Sequence, residues 1–248
     1  MDPNAVSAEA EVMETHWWFT GRRRLFGREI RRLGIDKDEA RVLDVGINTG
    51  TNLKLLTEMG FENIVALEPN ATAIDICRAR NYDNVRYLRG DATRLPLKGG
   101  SLDLVLATDV LEHIEDDARA LREIRDALKP GGVALITVPT FQSLWGHQDV
   151  VSHHLRRYRK SEMVALTEEA GLETLSSYYF NFMLFLPIYL TRRFLTISGA
   201  EARSENEINS PLVNTVLDRL FGLDTRLAPY LKPPFGVSAL ILCRRPLE

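Results

Sequence analysis

The chain predicts an α/β fold with a mostly parallel sheet, and three observations carry that reading. From residue 41 onward short apolar runs alternate with segments of helical period. The first run ends in a glycine-punctuated turn that opens a helix, and successive runs close on an acid. In Arg41-Val-Leu-Asp-Val-Gly-Ile-Asn-Thr-Gly50, Val42, Leu43 and Val45 suit a buried strand and Gly46 frees the backbone beyond it. Thr49-Gly50-Thr51-Asn52 leads into a helix carrying Leu53, Leu55, Leu56 and Met59. Ligands of open α/β sheets sit outside the carboxyl ends of the strands, where turn backbone can approach them. A nicotinamide-binding turn wants G-x-G-x-x-G, but positions 46, 48 and 51 are Gly, Asn and Thr, so that reading fails.

Later elements follow the same grammar. Ile64-Val-Ala-Leu-Glu-Pro69 is a second strand ending in an acid, Glu68. Val85 to Arg89 is a third, followed by Gly90-Asp91-Ala92, and the run from Ser101 is a fourth, leading into Asp109-Val110. Asp116 to Leu128 reads as a helix, with Leu121, Ile124 and Leu128 on one face, and Lys129-Pro-Gly-Gly132 ends it. Val133–Val138 is a fifth strand, Lys160–Ala170 a helix stopped by Gly171, Glu173–Tyr179 a sixth strand and Val237–Arg244 the last.

An acid at the first strand end with Gly46 and Gly50 fits S-adenosylmethionine, and the chain resembles the class I S-adenosylmethionine-dependent methyltransferases over roughly residues 38 to 180 plus the final strand. Their first motif, D-x-G-x-G-x-G, is matched by Asp44, Gly46 and Gly50, with Asn48 replacing the middle glycine. Asn is the residue next most tolerant of left-handed backbone. The resemblance implies a Rossmann-like seven-stranded sheet in the order 3-2-1-4-5-7-6, the seventh strand antiparallel. It also implies S-adenosyl-L-methionine as cofactor, with Glu68, followed by Pro69, taking the ribose hydroxyls. By the same resemblance Asp91 and Ala92 face the adenine, and Asp109 and Val110 lie beside the methionine part.

Two segments lie outside that core, giving an expected division into an arm (1–37), a core (38–180 and 237–246) and a helical cap insertion (181–236). The arm holds His16-Trp-Trp-Phe19 and six arginines between Arg22 and Arg32; in related enzymes such an arm closes over the cofactor, so Trp18 and Arg22 are expected to touch it. The insertion opens with an apolar run, Phe180 to Leu190, too short and too interrupted by Asn181 and Pro187 to span a bilayer. It reads as a lid over the substrate mouth, and residues 180–195 offer a surface for lipid or a membrane face. Ser198–Ser210 is expected to be a mobile loop, with a helix around Leu212 to Phe221.

At 248 residues, 45% hydrophobic and 26% charged, with a net charge of −3, the chain has the length for a sizeable core and no global argument for nucleic acid. Cys77 and Cys243 sit in apolar patterns and predict buried thiols. The N-terminus lacks an apolar run behind basic residues, so cytoplasm is the expected location. The expected activity is methyl transfer to a small-molecule acceptor with an apolar portion, on oxygen, nitrogen or carbon. The alternatives are an RNA-modifying enzyme using the arginines as an electrostatic footprint, or a degenerate scaffold weakened at Asn48. Methyl transfer asks the protein to position a nucleophile and exclude water, and oxygen acceptors gain from a base. His147, His153 and His154 share the window after strand five. His154, in H-x-R-R-Y, is the first candidate base and His113 the second. No metal site is expected, because H-x5-H-H with no nearby Cys matches no common zinc spacing.

Overall fold

The computed structural model describes residues 12–198 and 210–248. Seven strands form one sheet: β1 (Arg41–Val45), β2 (Asn63–Glu68), β3 (Val85–Arg89), β4 (Leu102–Thr108), β5 (Leu128–Pro139), β6 (Glu173–Phe180) and β7 (Ser238–Arg244). Their order is β3-β2-β1-β4-β5-β7-β6. β7 runs antiparallel to both neighbours, whereas the other pairs are parallel. The expected topology is the one found.

The sheet is covered on both faces because its strands alternate between two cores. Leu43, Val105, Ala134 and Ile241 face one side, where they meet α4 (Asp117–Ala127) and α6 (Lys160–Glu169). Val42, Leu104, Leu135 and Leu240 face the other, beneath α1 (Trp17–Arg32), α2 (Thr51–Glu58) and α3 (Ala71–Arg78). Both cysteines are buried thiols, as expected.

Between β6 and β7 lie α7 (Phe185–Ser198) and α8 (Pro211–Leu231), with the short α5 (His147–Val151) after β5. The helix expected over Leu212 to Phe221 therefore runs ten residues further, through Gly222, and holds Pro229 in its last turn. Packing explains the excess length. Gly21 of α1 has no side chain, and the Phe221 ring occupies its place: a Cβ built there would lie 2.1 Å from Phe221 Cδ1. Trp18 stacks on the same ring at 5.3 Å. The buried Asp224 of α8 accepts from the backbone N–H groups of Asn181 (2.7 Å) and Met183 (2.8 Å), tying the helix to the end of β6. Tertiary burial has overridden the local breakers.

A second departure is at β5, which starts at Leu128 rather than Val133. The Lys129–Gly132 stretch is absorbed as an irregularity in the pairing with β4, between Leu102 and Leu104. Residues 199–209, most of the stretch expected as a mobile loop, lie outside the described residues. Among the described residues no helix is long and apolar enough to cross a membrane.

Candidate functional site

Two adjoining cavities open at the carboxyl ends of the strands. The larger, about 680 Å³, is walled by Gly46, Glu68, Asp91, Ala92 and Val110, among others. The smaller, about 220 Å³, lies between the arm, the α5 region and α7. Asn48, Asp109, His113 and Ser152 border both.

The β1 turn shapes the larger cavity. Gly46 has φ +70° and packs so tightly that an added Cβ would come within 2.6 Å of Val110 Cγ2. Asn48 lies at φ +43°, in the left-handed region where glycine and asparagine are favoured. The substitution in the glycine motif is thus compatible with the turn's own backbone geometry. Glu68 receives the Asn48 N–H (3.2 Å) on one oxygen and the Asn70 N–H (3.0 Å) on the other. One carboxylate therefore fixes both loops that face the cavity. Pro69 lies on the same wall, as does Asp91, whose Oδ1 accepts from the Thr93 N–H at 2.7 Å.

Asp44 and Gly50 do not reach that wall. Asp44 is fully buried beneath the turn and accepts from Asn52 Nδ2 (2.9 Å), and its Oδ2 has no hydrogen-bond partner among the described residues. Burial pushes its pKa up to about 7, and the nearby Glu68 adds to the rise. Trp18 and Arg22, expected at the cofactor, line the smaller cavity instead. Arg22 pairs with Asp109 at 2.7 Å, and Asp109 also accepts from Thr137 Oγ1 at 3.0 Å.

The smaller cavity is lined by Asp109, Glu112, His113, His154, Arg157 and Arg192. α5 is capped by Ser152, and the next residue, His153, has a φ of +56° that reverses the backbone. His153 N–H then donates to the Val150 carbonyl (3.1 Å) and His154 N–H to the Asp149 carbonyl (2.9 Å). That is a Schellman closure, with histidine where glycine is usual. It folds the His154 ring back onto the Asp149 side chain, and Nδ1 lies 2.7 Å from Oδ1. Asp149 is fully buried and is also gripped by Arg157 through Nε (2.8 Å) and Nη2 (3.0 Å), and by the Gly146 N–H (2.8 Å). Burial alone would raise its pKa, but the bonds from His154 and Arg157 prevail and hold it at about 2.

The other face of His154 looks toward Glu112 and His113. Nε2 is 3.9 Å from Glu112 Oε1, and the two imidazoles meet edge to face at 4.8 Å between centroids. Glu112 is fully buried, and neither carboxylate oxygen has a hydrogen-bond partner among the described residues. Its pKa is pushed well above the usual range by burial, then by Asp109. Desolvation, and then His154, push His113 down to about 4, so its ring is neutral at pH 7. His153 borders only the larger cavity, while His147 is exposed and borders neither. Of the residues lining this cavity or bonded to them, the sequence points to His113, His154 and, through H-x-R-R-Y, Arg157, whereas Glu112, Asp149 and Arg192 carry no signal in it.

The basic clusters are largely consumed internally. Arg156 pairs with Asp117 (3.1 Å), and Arg24 pairs with Asp218 (2.7 Å). Arg28 donates to the Thr225 carbonyl at 2.8 Å, and Arg23 to that of Met13 at 2.7 Å.

Similarity to known proteins agrees with this geometry. Residues 43–136 match the family described as a methyltransferase domain. A chain of Mycolicibacterium smegmatis named as an S-adenosylmethionine-dependent methyltransferase is 28% identical over 164 residues, 65% of this chain and 62% of that one. A demethylmenaquinone methyltransferase of Renibacterium salmoninarum is 35% identical over 46% of this chain and 50% of its own. The chain thus spans less than two thirds of the length of these relatives. Among solved structures, the complex of a methyltransferase with the Trm112 methyltransferase activator of Haloferax volcanii superposes with a TM-score of 0.65 at 20% identity, covering 98% of this chain and 95% of that one, which shows a shared fold. The β1 turn, the acid at the end of β2, the strand order and the matched segment agree: residues 43–136 match a methyltransferase domain, and the chain is similar in sequence to S-adenosylmethionine-dependent methyltransferases and shares the fold of a solved methyltransferase.

Proposed function

We propose that the protein transfers a methyl group from S-adenosylmethionine to a small molecule held in the smaller cavity. The observation that carries this reading is the shared wall of the two cavities, where Asn48, Asp109 and His113 stand between a nucleoside-sized space and a pocket lined by His154. S-adenosylmethionine, when bound, supplies an electrophilic methyl carbon on a sulfonium. Gly46 and Asn48 give it a backbone surface, Glu68 accepts from ribose hydroxyls, and Asp91 and Ala92 take the adenine edge. His154 Nε2 removes or orients the acceptor's proton, while Asp149 fixes the Nδ1–H tautomer. Arg22 holds Asp109 in place, and Trp18 closes the acceptor side.

Helices α7 and α8 act as a cap in this reading. Ile188 and Arg192 of α7 face the smaller cavity. On its opposite side Leu186, Leu190 and Phe194 form a stripe at i, i+4, i+8, each more than half exposed (59%, 57% and 69%). That stripe, together with Trp17, Trp18 and Phe19 at the cavity, supports an acceptor with an apolar portion, presented from lipid or another apolar surface. The internal pairing of the arginines weighs against the RNA reading, which needs basic residues free to track phosphates.

Calorimetry with S-adenosylmethionine and S-adenosylhomocysteine tests the cofactor, and no heat at millimolar ligand sinks the proposal. Methyl transfer to bulk transfer RNA that disappears at moderate salt would replace the small-molecule acceptor with RNA.

A further inference from the structure

The side chains of Glu112, His113 and His154 form a cluster that hydrogen bonding within the protein does not explain. Each offers one donor atom, and the three donors lie within 4.8 Å of one another. Donors sharing one ion at bonds of ~2.1 Å stand roughly 3–4 Å apart, so drawing the widest pair together by roughly 1–2 Å closes the set. Glu112 supplies the independent observation. It is fully buried, borders the cavity, and neither of its oxygens has a hydrogen-bond partner among the described residues. A buried polar group in that state costs free energy unless something completes it.

The surroundings match what metal ligands require. A ligating imidazole donates its other N–H to a carboxylate or backbone carbonyl, which fixes the ring and its tautomer. His154 does so through Nδ1 to Asp149 at 2.7 Å. The His113 ring donates toward the His153 backbone carbonyl. One carboxylate with two imidazoles suits a divalent transition cation such as zinc, manganese or iron better than magnesium or calcium, which favour all-oxygen sets.

We propose that Glu112, His113 and His154 bind one divalent transition-metal ion at the mouth of the smaller cavity, with coordination positions left open toward the acceptor. This departs from the sequence expectation of no metal. Cation binding stands on the cluster alone; its use in methyl transfer rests on reading the smaller cavity as the acceptor site. There the role of His154 deepens: its Nε2 lone pair goes to the ion, and the ion lowers the pKa of a bound acceptor hydroxyl, whose proton leaves to solvent. Asp149 then orients a ligand rather than a base.

The test uses the whole chain, stripped with chelator and titrated with Zn²⁺, Mn²⁺, Co²⁺ and Mg²⁺ by calorimetry, with Co²⁺ absorption as a spectroscopic signature. The expected result is one equivalent of transition metal, with Mg²⁺ much weaker. Glu112→Gln and His154→Gln should each abolish Co²⁺ bands. Asp149→Asn, which touches only a ligand's partner, should weaken binding by roughly 10–100-fold. S-adenosylmethionine affinity should be unchanged in Glu112→Gln and His154→Gln, since neither residue borders the larger cavity, and this also reports that the variants are folded. No stoichiometric binding, or binding that survives Glu112→Gln and is lost instead with the exposed His147→Ala, overturns the proposal. Cofactor binding without the cation removes this inference alone, whereas cation binding without cofactor removes the methyltransferase reading and leaves the metal site.

Discussion

Asp149→Asn probes the most densely bonded group of the site. The carboxylate receives four hydrogen bonds: His154 Nδ1 and Arg157 Nε meet Oδ1, while Arg157 Nη2 and the Gly146 N–H meet Oδ2. Asparagine keeps the shape but has one acceptor oxygen, so either orientation of the amide turns its NH₂ toward two donors. The buried Arg157 guanidinium also loses its counter-charge. Removing one partner of such a buried pair costs about 3–5 kcal/mol, against a typical total stability of about 5–15 kcal/mol. The variant should therefore fold at 25 °C and melt early. With an m-value of roughly 2–3 kcal/mol/M, its urea midpoint should fall by about 1–2 M at unchanged slope. The pH dependence has a definite sign. Asp149 drops from an ordinary 3.8 to about 2 in the fold, so its ionisation stabilises the protein above 3.8 and that contribution is lost as pH falls toward 2. Wild type should lose roughly 2 kcal/mol over that window from this group, and the variant should lack that limb. Adding Arg157→Gln should recover part of the loss, because the two residues act as one unit. A urea midpoint within about 0.3 M of wild type at pH 7 would refute the reasoning.

Three other outcomes follow from the cofactor side. Glu68→Ala should weaken S-adenosylmethionine binding by about 1–3 kcal/mol through lost charged hydrogen bonds, measured by calorimetry; an unchanged affinity removes Glu68 from the ribose. Gly46→Ala should cost about 2–4 kcal/mol, combining left-handed strain with overpacking, and Val110→Ala should relieve the overpacking part; a neutral melt contradicts the close approach. In the free protein Asp44 resists ionisation, titrating near 7 rather than 3.8, so stability should decline as pH rises from about 4 to 7. Asp44→Asn should flatten that slope in urea melts, and a slope identical to wild type assigns it to other groups.

The fold was legible because its signals are local. Buried parallel strands read as apolar runs, and the acids or turns at their carboxyl ends mark one edge of the sheet. Glu68, Asp91 and Val110 were found that way, and each borders the larger cavity. Strand order itself came from family resemblance, since periodicity says nothing about neighbours. What was misjudged depends on contacts between distant segments. The length of α8 hinges on the Phe221 ring filling the space over Gly21, some 200 residues away in sequence. Arg22 and Trp18 line the smaller cavity, a placement set by the packing of α1 on α8, which joins segments far apart in the sequence.

The polar site shows a sharper version of the same limit. H-x-R-R-Y drew attention to His154, yet the group that orients it lies five residues earlier, a spacing that neither helix nor strand periodicity pairs. The contact exists because His153 takes a left-handed conformation at the helix end, where a sequence reader looks for glycine. Glu112 was hidden for a different reason. Within a short 3₁₀ turn after β4, it reads as an ordinary surface acid, whereas the fold buries it completely beside two imidazoles. Asp149 is satisfied by four donors and Glu112 by none, although both are acids fully buried near His154. A carboxylate with four donors is explained by holding its neighbours in place. One with no hydrogen-bond donor among the described residues, facing a cavity, points to what enters that cavity, and this difference makes Glu112 the residue through which the smaller cavity is best interrogated.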